Sequence, residues 1–246
     1  MLSAQKRTRY VAIMATTDNL ELLLLHALPL DGSMWAGQQQ LLPGSTYAPT
    51  LYPLGDSIEA WAAAVLGMAK GDRLIVVGCS VGGSCALEVA VAAPERIAAL
   101  VLIGTKAERR PDPAQHASIL QTLQENGLEH AWEVMWAPLF SRVAGARAIG
   151  NAKLIALRQS LPDVARGVTV FHTRPSRGQL LSALRCPVIV VTGADDVAPG
   201  PGVSKAQADC APHGQLHVVP QCGHYVPLER PDVLNAILRE VIDGLR

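Results

Sequence analysis

At 246 residues, 49% of them hydrophobic, the chain can bury a large core without disulfides or metals, and its length suits a single α/β domain. Lys+Arg and Asp+Glu number 21 each, so the formal net charge is zero. That excludes the basic stripe of a nucleic-acid-binding protein or of a protein held on an anionic membrane, while weak self-repulsion leaves room for a homodimer. The five cysteines are odd in number and scattered, without C-x-x-C spacing; they read as reduced, packed thiols and imply a cytoplasmic setting.

Lys6, Arg7 and Arg9 precede an apolar segment that Thr16-Thr17-Asp18-Asn19 interrupts, so a secretory signal is not expected. No run of eighteen apolar residues suggests a membrane span. Tyr10–Ala15 reads as a strand and Asp18-Asn19 as a turn. Leu20–Leu25 is a second strand, leading into the loop His26–Asp31. Trp35, Gln38 and Leu41-Leu42 suggest a short helix, Thr46–Leu51 an irregular strand, and Tyr52-Pro53-Leu54-Gly55 a turn. Asp56 or Ser57 then caps a helix with Ile58, Trp61, Ala64, Val65 and Met68 at helical spacing.

The next segment is the most informative. The β-branched run Leu74-Ile75-Val76-Val77 breaks into Gly78-Cys79-Ser80-Val81-Gly82, and a small-residue helix with Ala86, Val89, Ala90 and Ala93 follows. A strand that ends in Gly-x-Ser-x-Gly and turns at once into a helix lifts the serine hydroxyl above the sheet. The glycines remove Cβ atoms that would clash where strand and helix cross. Val81 then places its N–H at a helix N-terminus, where unpaired donors can face a developing oxyanion. After Pro94-Glu95-Arg96, the run Ile97–Gly104 is another buried strand, and the alternation of strand and helix implies a parallel sheet covered on both faces.

Between residues 106 and 184 the pattern turns polar and helical, with Ile119, Leu120, Leu123 and Leu128 and then Trp132, Met135, Trp136 and Phe140. A structureless loop of that length is improbable, so three or four short helices inserted between sheet strands are expected. The four residues from Trp132 to Phe140 either line a pocket or pack the insertion internally. The sheet rhythm then returns with Pro187–Thr192, a short helix Val203–Ala211 and the strand Leu216–Val219. A closing helix starts at Pro231, its apolar face made by Val233, Ile237, Leu238, Val241 and Ile242.

Two partners for Ser80 lie just past strand ends. Gly193-Ala194-Asp195-Asp196 offers two acids, and Gln221-Cys222-Gly223-His224 offers a histidine. The order serine, acid, histidine is one of the arrangements known for serine triads, and His26 is the main rival for the base. Neither a phosphate-binding G-x-x-x-x-G-K-[ST] nor a G-x-G-x-x-G stands after a strand, and neither H-E-x-x-H nor a Cys/His cluster suggests zinc.

With these residues the chain resembles the α/β-hydrolases, and within them the small capped esterase, enol-lactonase and cofactor-free haloperoxidase-like branch. The resemblance implies a mostly parallel sheet of seven or eight strands flanked by helices, with a core at 1–105 and 185–246 and a helical cap at 106–184. It selects Asp196 over Asp195 as the acid beside Ser80 and His224, and it adds the Leu28 N–H to that of Val81 as an oxyanion donor. His26 would then hold the shape of the oxyanion loop, where Ala27 stands at a position the family nearly always fills with glycine. A small-molecule substrate and neither cofactor nor metal are implied. The activity implied is hydrolysis of a small carboxylic ester or lactone through an acyl-enzyme. The same triad also suits an amide, a carbon–carbon bond in a diketone or perhalide chemistry, and the same fold can serve as a non-catalytic ligand receptor.

Overall fold

Residues 19–246 are described by the computed structural model. Six parallel strands form one sheet: β1 (Leu20–Leu25), β2 (Thr46–Tyr47), β3 (Arg73–Cys79), β4 (Ile97–Ile103), β5 (Val188–Gly193) and β6 (Gly214–Val219). Their order across the sheet is β2-β1-β3-β4-β5-β6. The chain steps outward from β1 to β2 and then crosses back to β3, so the winding reverses between β1 and β3. At such a reversal the loops leaving the two strand ends diverge and open a crevice, the usual place for ligands in open α/β sheets.

The inner strands are apolar throughout rather than alternating because helices cover both faces. Leu22–Leu25, Leu74–Val77 and Ala99–Ile103 have no exposure to solvent. The helix between β2 and β3, α1 (Ile58–Met68), is capped by Ser57, whose Oγ accepts the Ala60 N–H at 3.1 Å. The helix after β3, α2 (Val81–Ala92), packs against α1 and lies over β3 and β4. Edge strand β6 is only partly covered, and His217 within it is half-buried.

The sheet holds six strands among the described residues, not seven or eight. The expected strand Tyr10–Ala15 lies outside the described residues, and the expected strand Thr46–Leu51 is paired only at Thr46 and Tyr47. Pro49 and Pro53 carry no N–H to continue a ladder, and the Leu51 N–H is diverted to His26 Nε2 at 2.8 Å. Trp35, fully buried, anchors a short 3-10 turn at Gly32–Trp35.

The β4–β5 connection contains α3 (Pro113–Ala131), α4 (Ala146–Leu157) and α5 (Leu161–Thr173), with a π-turn at Trp132–Trp136. Asp112 caps α3 and Ser160 caps α5 through their side-chain oxygens. Beyond β5 come α6 (Gly200–Cys210), the single turn α7 (Val226–Glu229) and α8 (Pro231–Gly244). In α8 the buried face is Leu234, Ile237, Leu238 and Ile242, while Val233, expected inside, is 41% exposed.

Candidate active site

Ser80 stands between the last residue of β3 and the first of α2, with φ 56° and ψ −116°. A non-glycine residue at positive φ is strained by an amount on the order of 1–3 kcal/mol and persists only where its surroundings enforce it. Here the enforcement is backbone packing. A Cβ at Gly78 would fall 2.3 Å from the Gly82 carbonyl oxygen, and one at Gly82 would fall 2.1 Å from that of Leu25. The Ser80 N–H donates to Ile103 O at 2.9 Å, and the Ser80 carbonyl accepts from the N–H groups of Gly83 and Ser84 at 3.0 and 3.2 Å. The turn is thus tied to β4 on one side and to its own helix on the other.

Asp196 and His224 leave the ends of β5 and β6 and meet at the same end of the sheet. His224 Nδ1 faces both carboxylate oxygens of Asp196, at 3.1 and 3.2 Å, and Asp196 Oδ1 also accepts the Ala198 N–H at 2.8 Å. Both residues are buried. Asp195, by contrast, is exposed and accepts a hydrogen bond from Ser141 Oγ at 2.6 Å. Gly104, at φ 53°, closes this corner: a Cβ there would lie 2.8 Å from His224 Nδ1 and 3.2 Å from Asp196 Oδ2.

The loop after β1 forms the opposite lip. His26 is fully buried, with Nε2 accepting from Leu51 N–H and Nδ1 donating to the Ala27 carbonyl at 3.1 Å. Burial pulls its pKa down to about 4, so the ring is neutral and braces the loop. Ala27 is buried without positive φ; among the described non-glycine residues only Ser80 and Gln221 have it. The alanine therefore sits in ordinary backbone space. The Leu28 carbonyl accepts the buried Tyr225 hydroxyl at 3.0 Å, and the Leu28 N–H has no acceptor among the described residues. Val81, as first residue of α2, likewise has an N–H outside the helical ladder.

A cavity of about 680 Å³ brings these groups together: Leu28, Ser80, Gly104, His224 and Tyr225 line its floor. Of the aromatic stretch in the β4–β5 connection, Met135 and Trp136 line the cavity. Trp132 and Phe140 do not; they are buried behind this wall, their rings 6.1 Å apart, and Phe140 lies 4.8 Å from the Tyr225 ring. The π-turn at Trp132–Trp136 shifts the helical phase, which is why spacing alone does not separate the two pairs.

A profile described as "Alpha/beta hydrolase family" matches residues 22–237. The chain belongs to this family. Among curated relatives, the pimeloyl-[acyl-carrier protein] methyl ester esterase of Aromatoleum aromaticum is 26% identical, over 91% of this chain and 98% of that protein. Among solved structures, a thermophilic esterase from Thermogutta terrifontis superposes with a TM-score of 0.81 at 27% identity, covering 92% of this chain and 90% of that one. The enol-lactonase from Burkholderia xenovorans LB400 shares the fold, with a TM-score of 0.79 at 19% identity over 90% of each chain. Among the described residues no helix of this α/β-hydrolase is long and apolar enough to cross a membrane.

Glu229 holds the site without any local sequence signal. Glu229 accepts the N–H groups of Gly223 at 3.1 Å and of Ser141 at 3.0 Å, and Leu139 O accepts the His224 N–H at 2.9 Å. The histidine loop is therefore fixed to the β4–β5 connection. Burial raises the Glu229 carboxyl above its ordinary pKa, and the N–H groups of Gly223 and Ser141 oppose that shift. Lys106, His172 and Arg174 also line the cavity, the last two from α5 and its C-terminal end. The His172 ring stacks on His116 at 5.0 Å, and partial burial together with the His116 charge lowers its pKa to about 4.

Proposed function

We propose that this α/β-hydrolase is a serine hydrolase of small carboxylic esters or lactones, with Ser80 as nucleophile, His224 as base and Asp196 as the acid that orients the base. The observation that carries the reading is Ser80 at a strained turn, opening into the same cavity as a histidine whose Nδ1 is held by a buried carboxylate. With Nδ1 engaged, Nε2 is the ring nitrogen left to take a proton. Ser80 Oγ attacks the carbonyl carbon as its proton passes to His224 Nε2, and the carbonyl electrons move onto oxygen. The N–H groups of Val81 and Leu28 receive that oxyanion, the sort of contact whose loss typically costs about 3 kcal/mol. Collapse of the intermediate breaks the carbon–oxygen bond, and His224 returns the proton to the departing alkoxide. Water then repeats the sequence on the acyl-enzyme, giving the acid and free Ser80.

The segment 106–184 acts as a lid on a core made of 1–105 and 185–246. The curated relatives include methyl ester esterases alongside putative carbamate hydrolases and 2-hydroxy-6-oxononadienedioate hydrolases, so the support for ester chemistry is the likeness to the solved esterase at 27% identity. The test is active-site labelling by a serine-directed phosphonate combined with turnover of short-chain esters and lactones. Ser80→Ala should abolish labelling and lower ester turnover at least ~10³-fold. Turnover within about tenfold of the wild type would reject Ser80 as nucleophile. A diketone in the same panel reports carbon–carbon cleavage, and absence of turnover with tight ligand binding reports a receptor.

A further inference from the structure

The hydrolytic step leaves two cations in the cavity wall without a task. Arg174 is 7% exposed and lines the cavity beside Lys106. Its guanidinium lies 3.8 Å from the Phe171 ring centroid and donates to the Phe171 carbonyl oxygen. Among the described residues it has no carboxylate partner, whereas other arginines of the same region do. Arg177 pairs with Glu88 through two hydrogen bonds of 2.7 and 2.8 Å, and Arg166 pairs with Asp56 and Asp163 at 3.1 and 3.2 Å. Arg158 lies 3.7 Å from Asp31. No Asp or Glu is among the residues lining the cavity.

A guanidinium has five N–H donors in a planar fork suited to a carboxylate, and holding one in a buried place without a counterion is costly unless a ligand supplies the charge. Burial and the nearby Arg109 lower its pKa only to about 10, so it is cationic at neutral pH. The rest of that cavity wall carries apolar side chains at Ile119, Met135, Val168 and Phe171, with Gln115, Ser118 and His172 as its other polar groups. One buried guanidinium with one exposed lysine matches a monoanion.

We propose that Arg174, assisted by Lys106, forms a carboxylate subsite, and that the preferred substrates are esters or lactones bearing a free carboxylate separated from the scissile carbonyl by a short apolar spacer. This rests on the reading of Ser80 as the nucleophile. Arg174 is then a specificity-determining residue, and the apolar side chains of the wall carry the spacer.

The test compares matched pairs on the intact protein: monomethyl adipate against methyl hexanoate, and monomethyl glutarate against methyl pentanoate, each followed by proton release. The wild type should favour the hemi-ester in kcat/KM, and less so as salt rises. Arg174→Gln should lower the hemi-ester-to-neutral ratio roughly 10- to 100-fold, mainly through KM, the range for losing a charge-assisted hydrogen bond. Arg174→Lys should recover part of it. Lys106 is exposed, so Lys106→Gln tests the subsite without disturbing the core and should lower the ratio a few-fold. If Arg174→Gln fails to fold, Arg174→Lys and Lys106→Gln decide. Phosphonate labelling of Ser80 with a ratio near one in the wild type, or a ratio unmoved by these variants, overturns the subsite and leaves the hydrolase reading standing. Neither labelling nor turnover of either ester overturns both.

Discussion

The floor of the cavity, made by Leu28, Ser80, Gly104 and His224, rests on strands whose side chains are out of water and on contacts between backbones. The opposite wall, which we propose as the lid side, with Ile119, Met135, Trp136, Val168 and Phe171, belongs to the helices and turns of 106–184, which leave Val134, Val143 and Leu154 more than half exposed. On the floor a single added methyl group meets an immovable carbonyl, as at Gly82 and Gly78; at Gly145 and Gly150 in the 106–184 segment it meets nothing within 4 Å, and at Gly167, where α5 faces the floor, it meets side chains, Leu28 and Tyr52 at 2.7 Å, rather than backbone. The segment 106–184 is tied to the rest of the chain through side chains, as in Gln159 to Asp31 at 2.7 Å, the Arg166 side chain to Tyr52 O at 3.3 Å and Arg177 to Glu88 at 2.7 and 2.8 Å. On the proposed mechanism, geometry that chemistry must hold to tenths of an ångström sits on the over-determined side, and features that would select the substrate sit where packing tolerates change.

If that division holds, substitutions on the floor change rate at constant fold, and those in the lid change stability or selectivity. The largest effect is expected for Asp196→Asn. An asparagine amide facing His224 Nδ1 favours the wrong tautomer, and kcat should fall by about 10⁴-fold, roughly 5.5 kcal/mol, with the unfolding midpoint nearly unchanged. A fall of less than tenfold would break the assignment of the acid. Next comes Trp132→Ala. The indole is buried against Phe140, so the loss should appear as about 3–5 kcal/mol of stability in urea unfolding, with acyl-chain preference retained by the folded fraction. A changed preference without loss of stability would place Trp132 on the cavity wall after all.

The same division explains what the sequence made legible. The elbow, the acids and the histidine each lie just past an apolar run, so local pattern places Ser80, the pair Asp195-Asp196 and His224 at strand ends; the family resemblance picks Asp196 from the pair, and the structure brings Ser80, Asp196 and His224 to one end of the sheet. The insertion after β4 is legible from its length and helical period. The parts that are not legible depend on residues far apart in sequence. Glu229 reaches Ser141 across 88 positions and Tyr225 reaches Leu28 across 197, and neither leaves a local periodicity. Trp132, Met135, Trp136 and Phe140 are equally apolar, and only the π-turn decides which face the cavity. Arg174 is one of several arginines in this stretch, and pattern alone does not tell which of them faces inward; its place just past the end of α5 decides it. Ala27 shows the reverse: family likeness suggests a need for glycine, and the backbone there does not require it.

A third test probes the floor through pH. His26 has its folded pKa lowered from 6.5 to about 4 by burial. Below pH 6.5 the unfolded chain takes up a proton that the folded ring refuses, so stability falls as pH drops from 6.5 towards 4. The full shift corresponds to about 3 kcal/mol. The half-buried His172 acts in the same direction, weakened by solvent screening. His26→Asn should lower stability at pH 7, because the Leu51 N–H loses its ring acceptor, and should flatten the slope between pH 6.5 and 4. An acid limb as steep as the wild type's would mean that other groups govern it.

The smallest effect is expected for Met135→Ala, and it bears most directly on the lid as a selectivity element. Met135 is half-buried and lines the cavity, so shortening it enlarges the lid-side wall while removing little from the protein core. Pocket discrimination of a methylene or two is worth about 1–3 kcal/mol, and a flexible thioether gives way more readily than a branched side chain. The ratio of kcat/KM for octanoate over acetate esters should therefore shift only about fivefold, roughly 1 kcal/mol, and mostly in KM. Phosphonate labelling of Ser80 reads the floor independently in the same variant and should proceed at nearly the wild-type rate. Should labelling slow as much as octanoate turnover, the lid would be shaping the chemistry as well as the choice of substrate, and the two walls would not be separable.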